Sequence, residues 1–349
     1  MTVMSMPPAR PLPILGAFLA AALLLAGCDG RQAGSAVEVA RPSPRPALGE
    51  AEPVDQAALR RARAERNRDA NAAAIQASAQ ASDASRTQRD FYAAVERRLL
   101  DNGRLRRDRV PLDAPIDAKT LARNFMAIAL QDEYSDTADG LVAQPRPSPL
   151  RRWQEPVRLQ LEFGASTAVA ERPDWRAEVA GYADRLASVT GHSVGLTARD
   201  GNFVVLVLNE DERRAIGPRL SELVPGIPAR DVARLVDLPP SISCSVFAYS
   251  RGNDSSYAHA VAVIRAELPR LLRSSCIHEE LAQGMGLAND SPDARPSMFN
   301  DDEEFALLTR HDELLLQMLY DPRLRPGMSA AEAAPIVHRI AAELLGERT

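Results

Sequence analysis

Residues 276–290 read CIHEELAQGMGLAND, and this stretch decides how a chain of 349 residues is to be read. It lies on a predicted helix that runs from about Pro269 towards Met285 and stops at a glycine. His278-Glu279 invites a His-Glu-x-x-His reading, in which imidazoles at i and i+4 face one metal ion. Here i+4 is Ala282 and i+5 is Gln283, which lies roughly 140° round the helix from His278. That register fails. Moving one residue along restores the spacing, because Glu279, Glu280, Gln283, Gly286 and Asn289 fall at 0, +1, +4, +7 and +10.

In the shifted register the pattern is similar to the long metzincin signature, HExxHxxGxxH/D. Glu279 replaces the first histidine, Gln283 the second, and Asn289 or its neighbour Asp290 the third ligand. The resemblance implies that Glu280 matches the general-base glutamate and that Gly286 turns the chain to bring the third ligand back. Downstream, Ser297-Met298-Phe299 resembles the methionine turn beneath such a site, and Asp312 to Tyr320 resembles the closing helix. Carboxylate is a harder ligand than imidazole and a side-chain amide is weak, so zinc affinity drops by about several kcal/mol. Without a Lewis acid the water near Glu280 keeps a high pKa, and hydrolysis loses its nucleophile. An oxygen-ligated calcium or manganese ion at Glu279, Gln283, Asn289 and Asp290 is the alternative. So is a coincidental spacing, with Glu279 and Glu280 on a solvated helix face.

A longer block, HEELAQGMGLANDSPDARPSMFNDDEEFALLTRHDELLLQMLYDPRLRPGM, continues this stretch, and LARNF, ALQDEYSD and LRRWQEPVRLQLEFG precede it. Over roughly residues 117–328 the chain resembles the proteobacterial lipoprotein family that carries the domain of unknown function 2927. The resemblance implies a zincin-like fold more strongly than any reaction.

Upstream patterning agrees with that fold. Asp117 before Leu121, Phe125, Ile128 and Leu130 reads as a capped amphipathic helix. Residues 133–150 read as a break. Val157, Leu159, Leu161 and Phe163 alternate with polar residues as a half-buried strand. A helix follows from Asp174 to about Val189. Asp200-Gly201, between two β-rich runs, signals a hairpin. Ile242 to Tyr249 and Tyr257 to Ile264 read as strands, and helical pattern returns at 302–320 and 330–345. The class is α+β: a zincin-like mixed sheet packed on an active-site-type helix, with a helical C-terminal part.

The N-terminus carries an address. Arg10, the apolar run Ile14 to Leu25 and Leu25-Ala26-Gly27-Cys28 form a signal peptide ending in a lipobox, too short to span a bilayer comfortably. Residues 1–28 are thus a leader, with Cys28 lipidated and anchoring the chain to the periplasmic face of a bacterial membrane. A plain signal peptide with a chance cysteine is the competing reading. Asp29 resembles an inner-membrane retention signal. Residues 29–56 are a Pro-, Ala- and Gly-rich tether. Residues 57–111 form an Arg/Ala-rich solvated helical stalk, and 112–349 form the zincin-like domain.

Charge and composition exclude more than they assign. Lys119 is the sole lysine among 42 basic residues, and the net charge is −5. Residues 31–110 hold 16 Arg against 11 Asp plus Glu, leaving an acidic body behind a basic arm. An arm beside a membrane is drawn to anionic headgroups; a solvated arm is the equal alternative. With 5% aromatics and an acidic body, nucleic acid is not a partner. Cys244 and Cys276, an even pair in an oxidising compartment, read as one disulfide. A thiolate–imidazole pair of Cys276 with His278 is disfavoured because i and i+2 diverge on a helix.

Weaker candidates remain. His278 reads as a structural histidine, the run Asp301 to Glu304 as the first turn of a helix, and His311-Asp312 as surface. Strand residue His259 reads as structural. The expected protein is an envelope lipoprotein with a degenerate metzincin-like domain that binds a peptide or envelope protein without cutting it and needs no cofactor. The alternative is a metal-dependent peptidase or cell-wall amide hydrolase with Glu280 as base.

Overall fold

A computed structural model describes residues 3–5, 56–79, 81–137, 140–300 and 302–347. The lipobox at Cys28, Asp29 and almost all of the tether lie outside these residues. Two compact units are distinguished, Ala9–Glu65 and a larger one comprising Met1–Pro8 and Arg66–Thr349. The smaller is described only from Gln56, where helix α1 (Gln56–Ala79) begins. Among the described residues no helix is long and apolar enough to cross a membrane.

The larger unit opens with a short strand β1 (Val3–Ser5), resumes at Arg66 within α1, and continues with α2 (Asp83–Asp101) and α3 (Ala118–Ala129). A hairpin follows, β2 (Gln131–Thr137) and β3 (Gly140–Pro147), then β4 (Arg152–Trp153), β5 (Val157–Phe163) and α4 (Arg172–Thr190). Next come β6 (Val194–Leu196), β7 (Phe203–Leu208) and three short helices, α5 (Glu210–Arg214), α6 (Gly217–Leu223) and α7 (Ala229–Val236). Strands β8 (Cys244–Ser250) and β9 (Ser256–Arg265) lead into α8 (Arg270–Met285), and α9 (Arg310–Leu319) and α10 (Ala330–Leu345) complete the chain.

The sheet runs β1-β8-β9-β7-β5-β6, with β4 paired to the start of β9. β5, β6, β7 and β9 are mutually parallel, while β8 runs antiparallel to β9. The mixed α/β architecture with a helical C-terminal part follows the reading of the sequence. Two apolar cores flank the sheet. One holds Leu159, Phe203, Ala260, Ala262 and the inward side of α8; the other packs Val204, Val261 and Val263 against Leu220 and Leu235 of α6 and α7. The β7 run Phe203–Leu208 is buried at every position because both faces are covered.

Four local expectations change. Asp200-Gly201 does turn the chain, with Asp200 at φ +57°, but no hairpin forms: β6 and β7 each pair in parallel with β5, which lies between them. Within 133–150, residues 133–137 and 140–147 are not a break but belong to the β2–β3 ribbon, where prolines are tolerated because both strands are edges. The run 302–304 precedes α9 instead of opening it, and Asp302 and Glu304 pair with Arg104, Arg106 and Arg295. Finally, the packed body starts well before Leu112. Tyr92 is 2% exposed and donates to the carbonyls of Pro240 and Ile242 at 2.8 and 3.0 Å. A Glu96 carboxylate oxygen accepts from the N–H groups of Leu271 and Leu272 at 3.0 and 2.9 Å. Those are orphan donors of the first turn of α8, so α2 caps the helix that carries the candidate site.

Two glycines fix where α8 can lie. A Cβ at Gly284 would stand 2.4 Å from the ring carbons of Phe203, and one at Gly286, where φ is +127°, would stand 2.4 Å from the carbonyl oxygen of Arg151. Gly181 in α4 has nothing within 4 Å of that position. Substitutions of opposite sign are therefore expected. Gly286→Ala should cost roughly 1–3 kcal/mol through strain and overlap, whereas Gly181→Ala should add about 0.5–1 kcal/mol by raising helix propensity. Urea midpoints at constant slope read both.

Candidate functional site

The candidate site is built on the second half of α8 and the segment that follows it. Glu279 is half-buried, whereas Glu280 and Gln283 are 3% and 5% exposed. Gly286 ends the helix and the chain doubles back. The return brings Asp290 to Gln283, whose Nε2 donates to Asp290 Oδ1 at 3.3 Å. Asn289 goes elsewhere: its N–H donates to the Ile128 carbonyl at 3.1 Å and its Nδ2 to the Ala127 carbonyl at 2.8 Å, both at the end of α3. Asn289 Oδ1 is buried without a hydrogen-bond partner among the described residues.

Cys244 at the start of β8 and Cys276 in α8 are joined as a disulfide, with Cα atoms 5.9 Å apart. The bond ties the antiparallel strand to the helix one turn before Glu280. Cys244 Sγ and one carboxylate oxygen each of Glu279 and Glu280 lie within 4.8 Å of one another. As half of a disulfide Cys244 offers no thiolate. The donors on this part of α8 are then carboxylates and amides, and the Gln283 N–H faces Asp290. This set does not fit zinc, which takes imidazole and thiolate by preference.

His278 is held as a neutral structural group. Its Nδ1 accepts from the Leu308 N–H at 3.1 Å, and its ring stacks on Tyr182 with centroids 4.0 Å apart. The Tyr182 hydroxyl donates to the His278 carbonyl at 2.8 Å. Burial, and secondarily the Arg185 guanidinium, push the His278 pKa down to about 3. The face it uses points to α4, away from any role beside Glu279.

Met298 is 8% exposed and belongs to the same apolar core as the inward side of α8. The chain here is pinned by Asp312: Oδ1 accepts from Ser297 Oγ at 2.5 Å, and Oδ2 accepts from the N–H groups of Met298 and Thr309 at 3.3 and 2.9 Å. His311 Nε2 lies 3.0 Å from Asn124 Nδ2. Both His311 and Asp312 are 0% exposed, which corrects the surface reading of this pair. Adjacent helical residues do diverge, but here both directions are covered, by α3 and by the 297–298 turn. Sequence reasoning had one usable signal, Thr309-x-x-Asp312 as a capping box.

A second buried polar cluster went unforeseen. Arg213 and Arg265 are both 0% exposed and share Glu210. Burial would raise the Glu210 carboxyl, yet the hydrogen bonds from Arg213 and Arg265 outweigh it and hold the pKa at about 2. His259 lies on the sheet face of Val261 and Val263, away from α8, and is not part of the candidate site.

The family model described as "Protein of unknown function (DUF2927)" matches residues 118–339, and the chain belongs to that family. No curated protein and no solved structure matches it.

The neutral His278 makes a pH prediction. Its folded pKa lies below the ordinary value of 6.5, so below pH 6.5 the unfolded chain binds a proton that the folded one refuses. Stability therefore falls as pH drops from 6.5 towards 4. His278→Asn should lessen that slope by up to about 1.4 kcal/mol per pH unit. Urea midpoints of the two proteins from pH 7.5 to 4.5 measure it.

Proposed function

We propose that this DUF2927 protein is an envelope lipoprotein, anchored through Cys28, whose zincin-like domain holds an extended peptide or partner segment without hydrolysing it. The carrying observation is what occupies α8 and its return. Glu279 and Gln283 stand where the signature sets histidines, Gln283 is hydrogen-bonded to Asp290, and the Asn289 amide is engaged by Ala127. The order strand, helix, strands and then helix, with one antiparallel strand beside α8, supports the zincin-like reading. So do the sharp turn at Gly286 and the buried Met298.

The peptide's place on this reading is the outer edge of β8. Val3–Ser5, part of the leader that maturation at Cys28 removes, pairs there in parallel with Ala248–Ser250, so this edge accepts main-chain hydrogen bonds from an added strand. A site of this kind needs no Lewis acid, because ladder bonds supply affinity and side-chain pockets supply selectivity.

Metal content and turnover decide between this reading and the hydrolase. Protein purified from the envelope should contain less than stoichiometric zinc, manganese and calcium by elemental analysis, and should not cleave a mixed peptide or peptidoglycan-fragment library. A stoichiometric metal lost in Glu279→Ala, with turnover abolished in Glu280→Gln, would establish the enzyme instead. Palmitate labelling that disappears in Cys28→Ala checks the anchor independently.

A further inference from the structure

On the sheet face away from α8, strand register sets three polar residues in one row. Leu159, Phe203 and Ala260 are successive Cα partners across β5, β7 and β9, and all three belong to the core on the α8 side. Side chains alternate along a strand, so Arg158, Asn202 and His259, one position earlier in each, face the other way. Two strand spacings separate Arg158 from His259, about 10 Å, which an arginine side chain and one small ion bridge. Arg251, the first residue after β8, closes the same space from the β8–β9 turn. These residues line a cavity of about 300 Å³.

The positive groups there are not matched by ion pairs. Among the described residues the side chains of Arg251 and His259 have no hydrogen-bond or ion-pair partner, and Arg158 spends only its Nε, on the Asp200 carbonyl at 3.1 Å. Two carboxylates also line the cavity. Asp254 Oδ1 is turned to the backbone N–H groups of Ser255 and Ser256 at 2.7 and 3.1 Å, and Glu155 makes no ion pair with either arginine. Burial, then Arg251 and Arg158, depress the His259 pKa, which fits cationic groups gathered without an anion between them.

We propose that this cavity binds a small anionic group, a carboxylate or a phosphate, clamped by the Arg158 and Arg251 guanidiniums with the His259 imidazole donating from the third side. Guanidinium forks match both oxyanions in geometry, and charge-assisted bonds are the strong ones. The site is separate from the α8 helix and does not depend on the peptide-binding reading.

NMR of the histidine ring signals tests it on the purified full chain, titrated with sodium phosphate or sodium acetate against sodium chloride at equal ionic strength. One or both oxyanions should shift a single ring signal saturably, the one missing in His259→Asn, and leave those of His192, His278, His311 and His338 in place. Phosphate alone acting assigns a phosphate site, and acetate acting as well assigns a carboxylate-tolerant one. Arg251→Ala and Arg158→Ala should each weaken binding about ten-fold, the loss of one charge-assisted contact, with Arg251→Lys between. Arg251 is exposed, so its variants keep the fold. An equal shift with chloride, no saturable shift with either oxyanion, or an unchanged affinity in Arg251→Ala would overturn the proposal.

Discussion

Helix α8 can lie where it does because residue 284 has no side chain. The Phe203 ring occupies the place of its missing Cβ, and Trp153, whose ring stacks parallel to Phe203 at 6.3 Å, donates Nε1–H to the Gly284 carbonyl at 2.8 Å. A larger residue would have to displace the Phe203 ring, on which Trp153 stacks, in a close-packed core. The same seating is held at three further points. Glu96 caps the start of the helix, the Cys244–Cys276 disulfide ties its middle to the antiparallel strand, and Gly286 lets it stop directly against the Arg151 carbonyl. Glu279, Glu280 and Gln283 inherit their positions from these constraints.

Asp312 does for the downstream chain what Gly284 does for the helix. One carboxylate gathers the Ser297 hydroxyl and the N–H groups of Met298 and Thr309. It therefore caps α9 and shapes the turn that carries Met298 into the core. Ser297, Thr309 and Asp312 are fully buried, so these donors have to be satisfied within the protein. Glu210 plays the matching part on the other side of the sheet, where it joins α5 to Arg265 at the end of β9.

The sequence made the apolar framework legible and hid the polar one. The alternation of Val157 to Phe163, the Asp117 cap and the glycine ending α8 each carry a local physical signature, and each element forms as read. Pairing partners are not local. Asp200-Gly201 specifies a turn, but nothing in its neighbourhood says that β5, some 40 residues earlier, will sit between the two runs. Buried charge is hidden for a different reason. Glu210, Arg213, His311 and Asp312 have the composition of a solvated helix face, and only the covering elements, α3 and the segments 235–242 and 297–298, make them interior. The stalk misled in the same way, because sparse apolar residues such as Tyr92 and Val95 sufficed to dock α2 once polar groups found partners.

On the proposed reading, the turn at Gly286 is where a fold built around a metal becomes independent of one. Metal ligation would otherwise hold the returning chain against the helix. Here the Gln283–Asp290 hydrogen bond, the Asn289 contacts with Ala127 and Ile128, and the packing of Leu287 and Ala288 into the core do so. Each such hydrogen bond contributes only about 1 kcal/mol net, far less than the ~10 kcal/mol or more that a structural zinc site supplies. The difference has to be made up by burial and by covalent restraint. The disulfide between β8 and α8 is the restraint in the right place, since it pins the helix to the strand that the proposed peptide would extend. On that reading the missing imidazoles and the disulfide belong together, as a cleft kept rigid by cross-linking and packing.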